Sequence, residues 1–302
     1  MAIHSIVGAG QVGSRLADLL VADRHQVRQI SRRGQHVPGA AGISADASDL
    51  AALTAATAGS DVIYNCVNPA YHRWPQDWPP IAENLLQVAR DKVLVTLSNL
   101  YGYGPVAGTI TPDLPLAATT RKGQVRAQMW DRALQAHAAG DVCAVEVRGS
   151  DFIGETGQQV TFGSRVVGNL RVGKSVTLLG RLDMPHTWTY TGDVATTLAV
   201  VAADDRAYGH AWHVPSNAPR TQAQVVADLA DVLEVRVPKV RTVGPVILRT
   251  MGLVNPAMGE LVEMLYEFEQ PFVMDSTPTQ SAFGLKPTPW ETVIEQTVRV
   301  NP

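Results

Sequence analysis

The stretch Gly8-Ala9-Gly10-Gln11-Val12-Gly13 follows an apolar run and opens a segment of helical periodicity. A turn of this kind needs glycine for three reasons. Gly8 allows the tight reversal, Gly10 lets backbone approach a pyrophosphate, and Gly13 permits close helix-to-sheet packing, with the anion resting on the helix N-terminus. Gln11 and Val12 complete the loop. The spacing predicts a dinucleotide site at the start of the chain, against the alternative of a purely structural glycine turn.

The end of the second strand bears on which dinucleotide. An NAD site places an acid there to accept from the ribose 2′-hydroxyl, but this chain reads Gln29-Ile30-Ser31-Arg32-Arg33. A hydroxyl and two guanidinium groups suit a 2′-phosphate, so NADP(H) is expected over NAD(H). Solvated surface charge is the plainer account of paired arginines. After the third strand, Asp46 and Ala47 stand where a side chain meets the adenine amino group; Asp46 serves equally as a helix cap.

These residues need a sheet to carry them. Apolar runs near 3–7, 26–30, 61–67, 93–97 and 141–147, with a weaker one at 41–45, alternate with helical stretches at 48–58, 81–91 and 121–139. In the first helix Val12, Leu16, Leu19 and Leu20 fall on one face. The pattern predicts an α/β, doubly wound parallel (Rossmann) sheet over residues 1–148 and a smaller substrate lobe over 149–302, with a helix near 191–204 packing back on the first unit. A strand at 211–214 and helices near 221–234, 244–254 and 256–268 follow. Met251, Met258, Met264, Leu265, Tyr266 and Phe268 read as packing residues. Two segments, 69–80 (PAYHRWPQDWPP) and 101–119, read as long loops after strand ends, where ligands bind in such sheets.

Five segments together resemble the extended or atypical short-chain dehydrogenase/reductase superfamily of the NAD(P)-dependent epimerase/dehydratase type. They are GAGQVG, DVIYNCVNP, VTLSNLYGYGP, VEVRGSDFIGETG and YTGDVATTLAVV. The resemblance implies that Cys66, Val67, Asn68 and Ser98 line the cofactor, and that Asn99 stands where the family has the Ser that polarises a substrate carbonyl.

One departure bears on mechanism. The family's proton-transfer pair is a Tyr and a Lys four residues later, the Lys also holding the nicotinamide ribose. Here those positions hold Lys122 and Arg126, and none of the seven tyrosines has Lys at the fourth position after it. Three readings stay open. Lys122, Tyr101 or Tyr103 supplies the proton; the protein binds NADP(H) without turnover, as a redox sensor; or the substrate supplies the proton-transfer group or needs none. Arg126 keeps a positive charge near the ribose but cannot serve as the acid. Tyr71, Trp74, Phe152 and His186 are candidate substrate residues, with a packed loop and an ordinary hydrogen-bonded histidine as the plainer accounts.

Composition bounds the rest. With 302 residues, 45% hydrophobic and 18% charged, the chain has material for a large core and too little charge for disorder. A net charge of −3 and scattered cations argue against nucleic acid. No apolar stretch reaches ~18 residues, so no membrane span is expected, and no basic leader precedes the first strand. Cys66 and Cys143 read as buried thiols of a reducing, cytoplasmic interior. Histidine spacing gives no metal site. The expectation is an NADP(H)-dependent oxidoreductase acting on a carbonyl or related group of a small, moderately hydrophobic substrate. The alternatives are the redox sensor and a nucleotide-sugar-type epimerase or dehydratase. The family resemblance also implies a homodimer packed through the helices near 81–91 and 121–139.

Overall fold

The computed structural model describes residues 2–156, 160–252 and 256–302. Its centre is a sheet of β1 (Ile3–Val7), β2 (Gln26–Ser31), β3 (Ala41–Ser44), β4 (Val62–Asn65) and β5 (Val93–Asn99). Past a short β6 (Thr109–Ile110), the sheet continues with β7 (Cys143–Gly149). Past β8 (Asp151–Ile153), β9 (Val176–Leu179) and β10 (Trp188–Tyr190), it ends with β11 (Ala211–His213). The order is β11-β7-β5-β4-β1-β2-β3, and every pairing is parallel.

Crossover helices cover both faces, as the doubly wound expectation requires. On one face lie α1 (Gln11–Ala22) and, from the second half of the chain, α6 (Thr191–Ala202). Leu16, Leu20, Val194, Leu198 and Val201 bury against the sheet there. The other face carries α2 (Leu50–Thr57), α3 (Trp74–Val88) and α4 (Arg121–Ala138), packed through Leu53, Trp78, Leu85 and Trp130.

The second half adds α5 (Ser164–Arg171), α7 (Gln222–Val232), β12 (Val240–Val243), α8 (Pro245–Gly252), α9 (Pro256–Val262), α10 (Tyr266–Glu269), β13 (Val273–Met274), α11 (Thr277–Phe283) and α12 (Trp290–Val300). Its core joins Phe162, Val166, Trp188, Leu229 and Ile294. β12 pairs with β9, β10 with β8 and β13 with β6, three small parallel ladders that periodicity did not reveal. The helical stretch expected over 256–268 is interrupted between α9 and α10. Residues 253 and 254 of the stretch expected at 244–254, and the side chains of Met251 and Met258, lie outside the described residues.

The segment 69–80 is not a loop throughout. After a single 3₁₀ turn at Tyr71–Arg73, α3 begins at Trp74 and runs through Pro79 and Pro80. Pro75 in the first turn loses no intrahelical bond, and the fixed φ of proline suits a helix. The bonds missing at Pro79 and Pro80 are offset by Trp74 and Trp78, one turn apart and buried against the sheet. The segment 101–119 holds a 3₁₀ turn at Tyr101–Tyr103 and β6. Among the described residues, no helix is long and apolar enough to cross a membrane.

Candidate active site

Strand order runs outward from β1 in both directions, so the crevice between the carboxyl ends of β1 and β4 is the topological switch point. The glycine loop sits there. Gly8 has φ +120°, and a Cβ on it would collide with the Cys66 carbonyl; a Cβ on Gly13 would collide with the Gly8 carbonyl. Both glycines are required by the protein's own packing. Gly10 differs: its φ of −77° suits any residue and, among the described residues beyond its chain neighbours, no atom lies within 4 Å of where its Cβ would be. The Gln11 side-chain amide donates to the Thr156 carbonyl at 2.8 Å and accepts from the Thr156 N–H at 2.7 Å, tying the loop to the chain after β8. Val12 is buried in the core.

Beside the loop, over the ends of β4, β5 and β7, lies a cavity of about 200 Å³. Cys66, Val67, Asn68, Ser98 and Asn99 line it, with Ser150, Asp151 and Phe152 from the β7–β8 corner. Burial pushes the Cys66 thiol up to about 12, which makes it a wall rather than a nucleophile. Tyr71, Trp74 and Tyr101 form an aromatic side, and Tyr71 Oη donates to Tyr101 Oη at 3.1 Å. The Tyr101 turn is held by its N–H donating to Asn99 Oδ1 at 3.2 Å. It also meets α4 closely at Gly123, where a Cβ would strike the Tyr101 carbonyl. Burial, then neighbouring Tyr71, raises the Tyr101 phenol well above its ordinary value.

Three charged-type side chains complete the lining. Arg126 stacks between Trp74 and Trp78, its guanidinium carbon 4.6 and 4.5 Å from the two ring centres. Its Nε and Nη1 have no partner among the described residues, and burial lowers its pKa to about 10. Asp151 Oδ2 lies 2.8 Å from His186 Nε2, and His186 Nδ1 faces the Glu267 carbonyl at 3.1 Å. Glu267 itself is 1% exposed, with Oε1 unpartnered among the described residues. Burial, then the charge of Asp151, pushes its carboxyl well above the usual range.

A family model described as the NAD dependent epimerase/dehydratase family matches residues 5–214. The chain belongs to that family. No curated protein matches it, but solved structures of this fold do. A dTDP-glucose 4,6-dehydratase from Bacillus anthracis, in complex with NAD, is 16% identical with a TM-score of 0.79, over 99% of this chain and 96% of that one. DesIV, a dTDP-glucose 4,6-dehydratase from Streptomyces venezuelae, is 19% identical with a TM-score of 0.79 over the same shares. A UDP-glucuronic acid 4-epimerase from Bacillus cereus is 14% identical with a TM-score of 0.78, over 99% and 98%.

Against the cavity of this epimerase/dehydratase family member, the residues expected from sequence divide. Tyr101, Asn99, Ser98, Cys66, Val67, Asn68, Arg126, Tyr71, Trp74 and Phe152 line it. Lys122 does not: it is buried in ion pairs with Glu260 and, at 2.8 Å, Glu263, its ammonium 4.6 Å from the Tyr71 ring centre. Two carboxylates on the far lobe hold the cation in this structure. Tyr103 is also elsewhere, its Oη accepting from Arg148 at 2.6 Å and 2.8 Å from His213 Nε2. His186 stands behind Asp151, stacked on Trp188 and Phe268.

At the β2 end, Ser31 Oγ accepts from the Gln35 N–H at 3.0 Å, and Arg32 and Arg33 are exposed. Asp46 accepts from the Ser48 N–H and hydroxyl, bonds that lower its pKa with help from Arg32; the cap of α2 is Asp49. Ala47 packs into the core. Asp151, Glu267 and Ser150 were not singled out from the sequence. The first and third sit inside VEVRGSDFIGETG, where the resemblance marks other positions, and Glu267 is one of four glutamates between 260 and 269, none of which the sequence sets apart from the others.

Proposed function

We propose that this chain is an NAD(P)-dependent enzyme of the nucleotide-sugar epimerase or dehydratase kind, acting at a hydroxyl-bearing carbon held in the cavity. The observation that carries the reading is the junction of glycine loop and cavity: Gly8 packs on the Cys66 carbonyl, and Cys66, Val67 and Asn68 then line the space where polar side chains converge.

The residues fit a nicotinamide dinucleotide. The open space at Gly10 admits a pyrophosphate, and the unpartnered donors of Arg126 suit ribose oxygens. When bound, such a cofactor accepts and returns a hydride. Gly8 to Gly13, Cys66 to Asn68, Ser98 and Arg126 would hold it. Exposed Arg32 and Arg33 support NADP(H) over NAD(H). Tyr101, which accepts from Tyr71, keeps its own hydroxyl hydrogen for a substrate oxygen, and the Asn99 amide lies beside it. The aromatic side excludes water from the reacting centre.

The same aromatic lining favours a second reading, net reduction of a hydrophobic carbonyl. The test incubates the protein with NAD⁺ or NADP⁺ and a panel of uridine- and thymidine-diphosphate hexoses, with products read by NMR. A parallel arm supplies NADPH and a panel of ketones and aldehydes. Conversion of a sugar nucleotide without net cofactor consumption supports the proposal. Stoichiometric NADPH oxidation by carbonyls alone supports the second reading, and dinucleotide binding without either supports a sensor.

A further inference from the structure

Glu267 reaches the cavity from the far lobe, on the short helix α10, with no cation among the described residues to hold its charge. Its backbone is fixed on both sides. The Glu267 carbonyl faces His186 Nδ1, and the next residue, Phe268, stacks on the same imidazole with ring centres 5.2 Å apart. Its side chain is fully buried, one carboxyl oxygen has no hydrogen-bond partner among the described residues, and that side chain lines the cavity. The groups that bear on it electrostatically are Asp151 on β8, Tyr71 and Tyr101 on the two 3₁₀ turns, and Tyr266 beside it on α10. His186 stands behind. An ionised carboxylate here would be desolvated and would oppose Asp151, which His186 already partners. The neutral acid is the form this setting stabilises. Two carboxyls in one cavity, one partnered by an imidazole and one without a counter-ion, are thereby set apart as proton acceptor and proton donor.

Resting on the reading above, we propose that Glu267 is the proton donor of this site, giving its carboxyl hydrogen to the oxygen of a substrate carbonyl. In that step the Glu267 O–H bond breaks and an O–H bond forms on the carbonyl oxygen. The carbonyl carbon is reduced by the hydride of the reduced nicotinamide dinucleotide. In the oxidising half Asp151 would take the proton of the substrate hydroxyl while the hydride on the same carbon passes to the oxidised dinucleotide, and transfer of that proton from Asp151 to the Glu267 carboxylate would close the cycle. Lys122, ion-paired away from the cavity, and Tyr101, whose phenol holds its proton firmly, are left with binding and positioning roles.

The test uses the full chain and Glu267→Gln, which keeps shape and a hydrogen-bond donor but has no exchangeable carboxyl proton. In the cofactor-free protein at neutral pH, infrared difference spectroscopy is expected to show a protonated-carboxyl stretch in the wild type that the variant lacks. The variant is expected to bind NADPH within twofold of wild type, which also reports a native fold, and to lose roughly 10²- to 10⁴-fold in turnover. Absence of the difference band, or undiminished turnover, overturns the proposal. A wild type that binds no dinucleotide overturns the underlying reading instead, and the two failures are distinct.

Discussion

Lys122 Nζ lies 2.8 Å from Glu263 Oε2, while the Lys122 backbone N–H donates to Glu263 Oε1 at 2.9 Å. With Glu260 as a second counter-ion, this double hold joins the first turn of α4 to α9 and the turn after it. Lys122 is a clamp between the two halves of the chain. Lys122→Ala is expected to lower stability in denaturant unfolding by about 3 kcal/mol, because two carboxylates lose their cation, with NADPH affinity changed no more than a few fold. A variant of native stability that has lost turnover would contradict this.

Arg126 carries a buried charge with two nitrogens unpartnered among the described residues, a cost that stacking on Trp74 and Trp78 offsets only in part. Arg126→Met keeps the packing between Trp74 and Trp78 and removes the charge. The variant is expected to melt at or above the wild-type temperature and to bind NADPH at least tenfold more weakly. A melting temperature that falls while affinity holds would make the guanidinium a structural group.

Tyr103, Arg148, Glu146 and His213 form a buried network between the 3₁₀ turn after β5, β7 and β11 that does not reach the cavity. Burial lowers the His213 pKa from 6.5 to about 4. A histidine whose folded pKa lies below its unfolded value binds a proton on unfolding, so its contribution is full above pH 6.5 and is lost as pH falls toward 4. Unfolding free energy measured across that window is expected to fall with pH by at most about 1.4 kcal/mol per unit from this residue. The slope should be shallower in His213→Phe.

The proposed preference for NADP(H) rests on Arg32 and Arg33. Changing both to Ala is expected to weaken NADPH binding by ~1–3 kcal/mol through lost charge-assisted hydrogen bonds, with NADH hardly altered. Paired calorimetric titrations check this, and equal losses for both cofactors would remove the 2′-phosphate assignment.

The parallel sheet was legible because strands buried on both faces leave continuous apolar runs, and the glycine loop because its turn tolerates few other residues. Helix α3 was hidden by Pro75, Pro79 and Pro80, whose local message is overridden by the tertiary packing of Trp74 and Trp78. The cavity was only half legible. Residues on the ends of β4 and β5 follow from strand position, but Glu267 arrives from 168 residues beyond Asn99 through the fold of the second lobe. The ion pairs of Lys122 were hidden for a related reason: its place at the start of α4 follows from helical periodicity, while no local pattern marks Glu260 and Glu263 as its counter-ions.

The most direct test of a nucleotide-binding loop is Gly10→Val. Gly8 and Gly13 are needed by the protein's own packing, but the space at Gly10 is open among the described residues and its φ is ordinary. Fluorescence titration with NADPH and NADH is expected to show saturable binding to the wild type and at least tenfold weaker binding to the variant, whose melting temperature stays within a few degrees. If neither cofactor binds the wild type, or the variant binds both as well as the wild type does, the loop does not hold a dinucleotide.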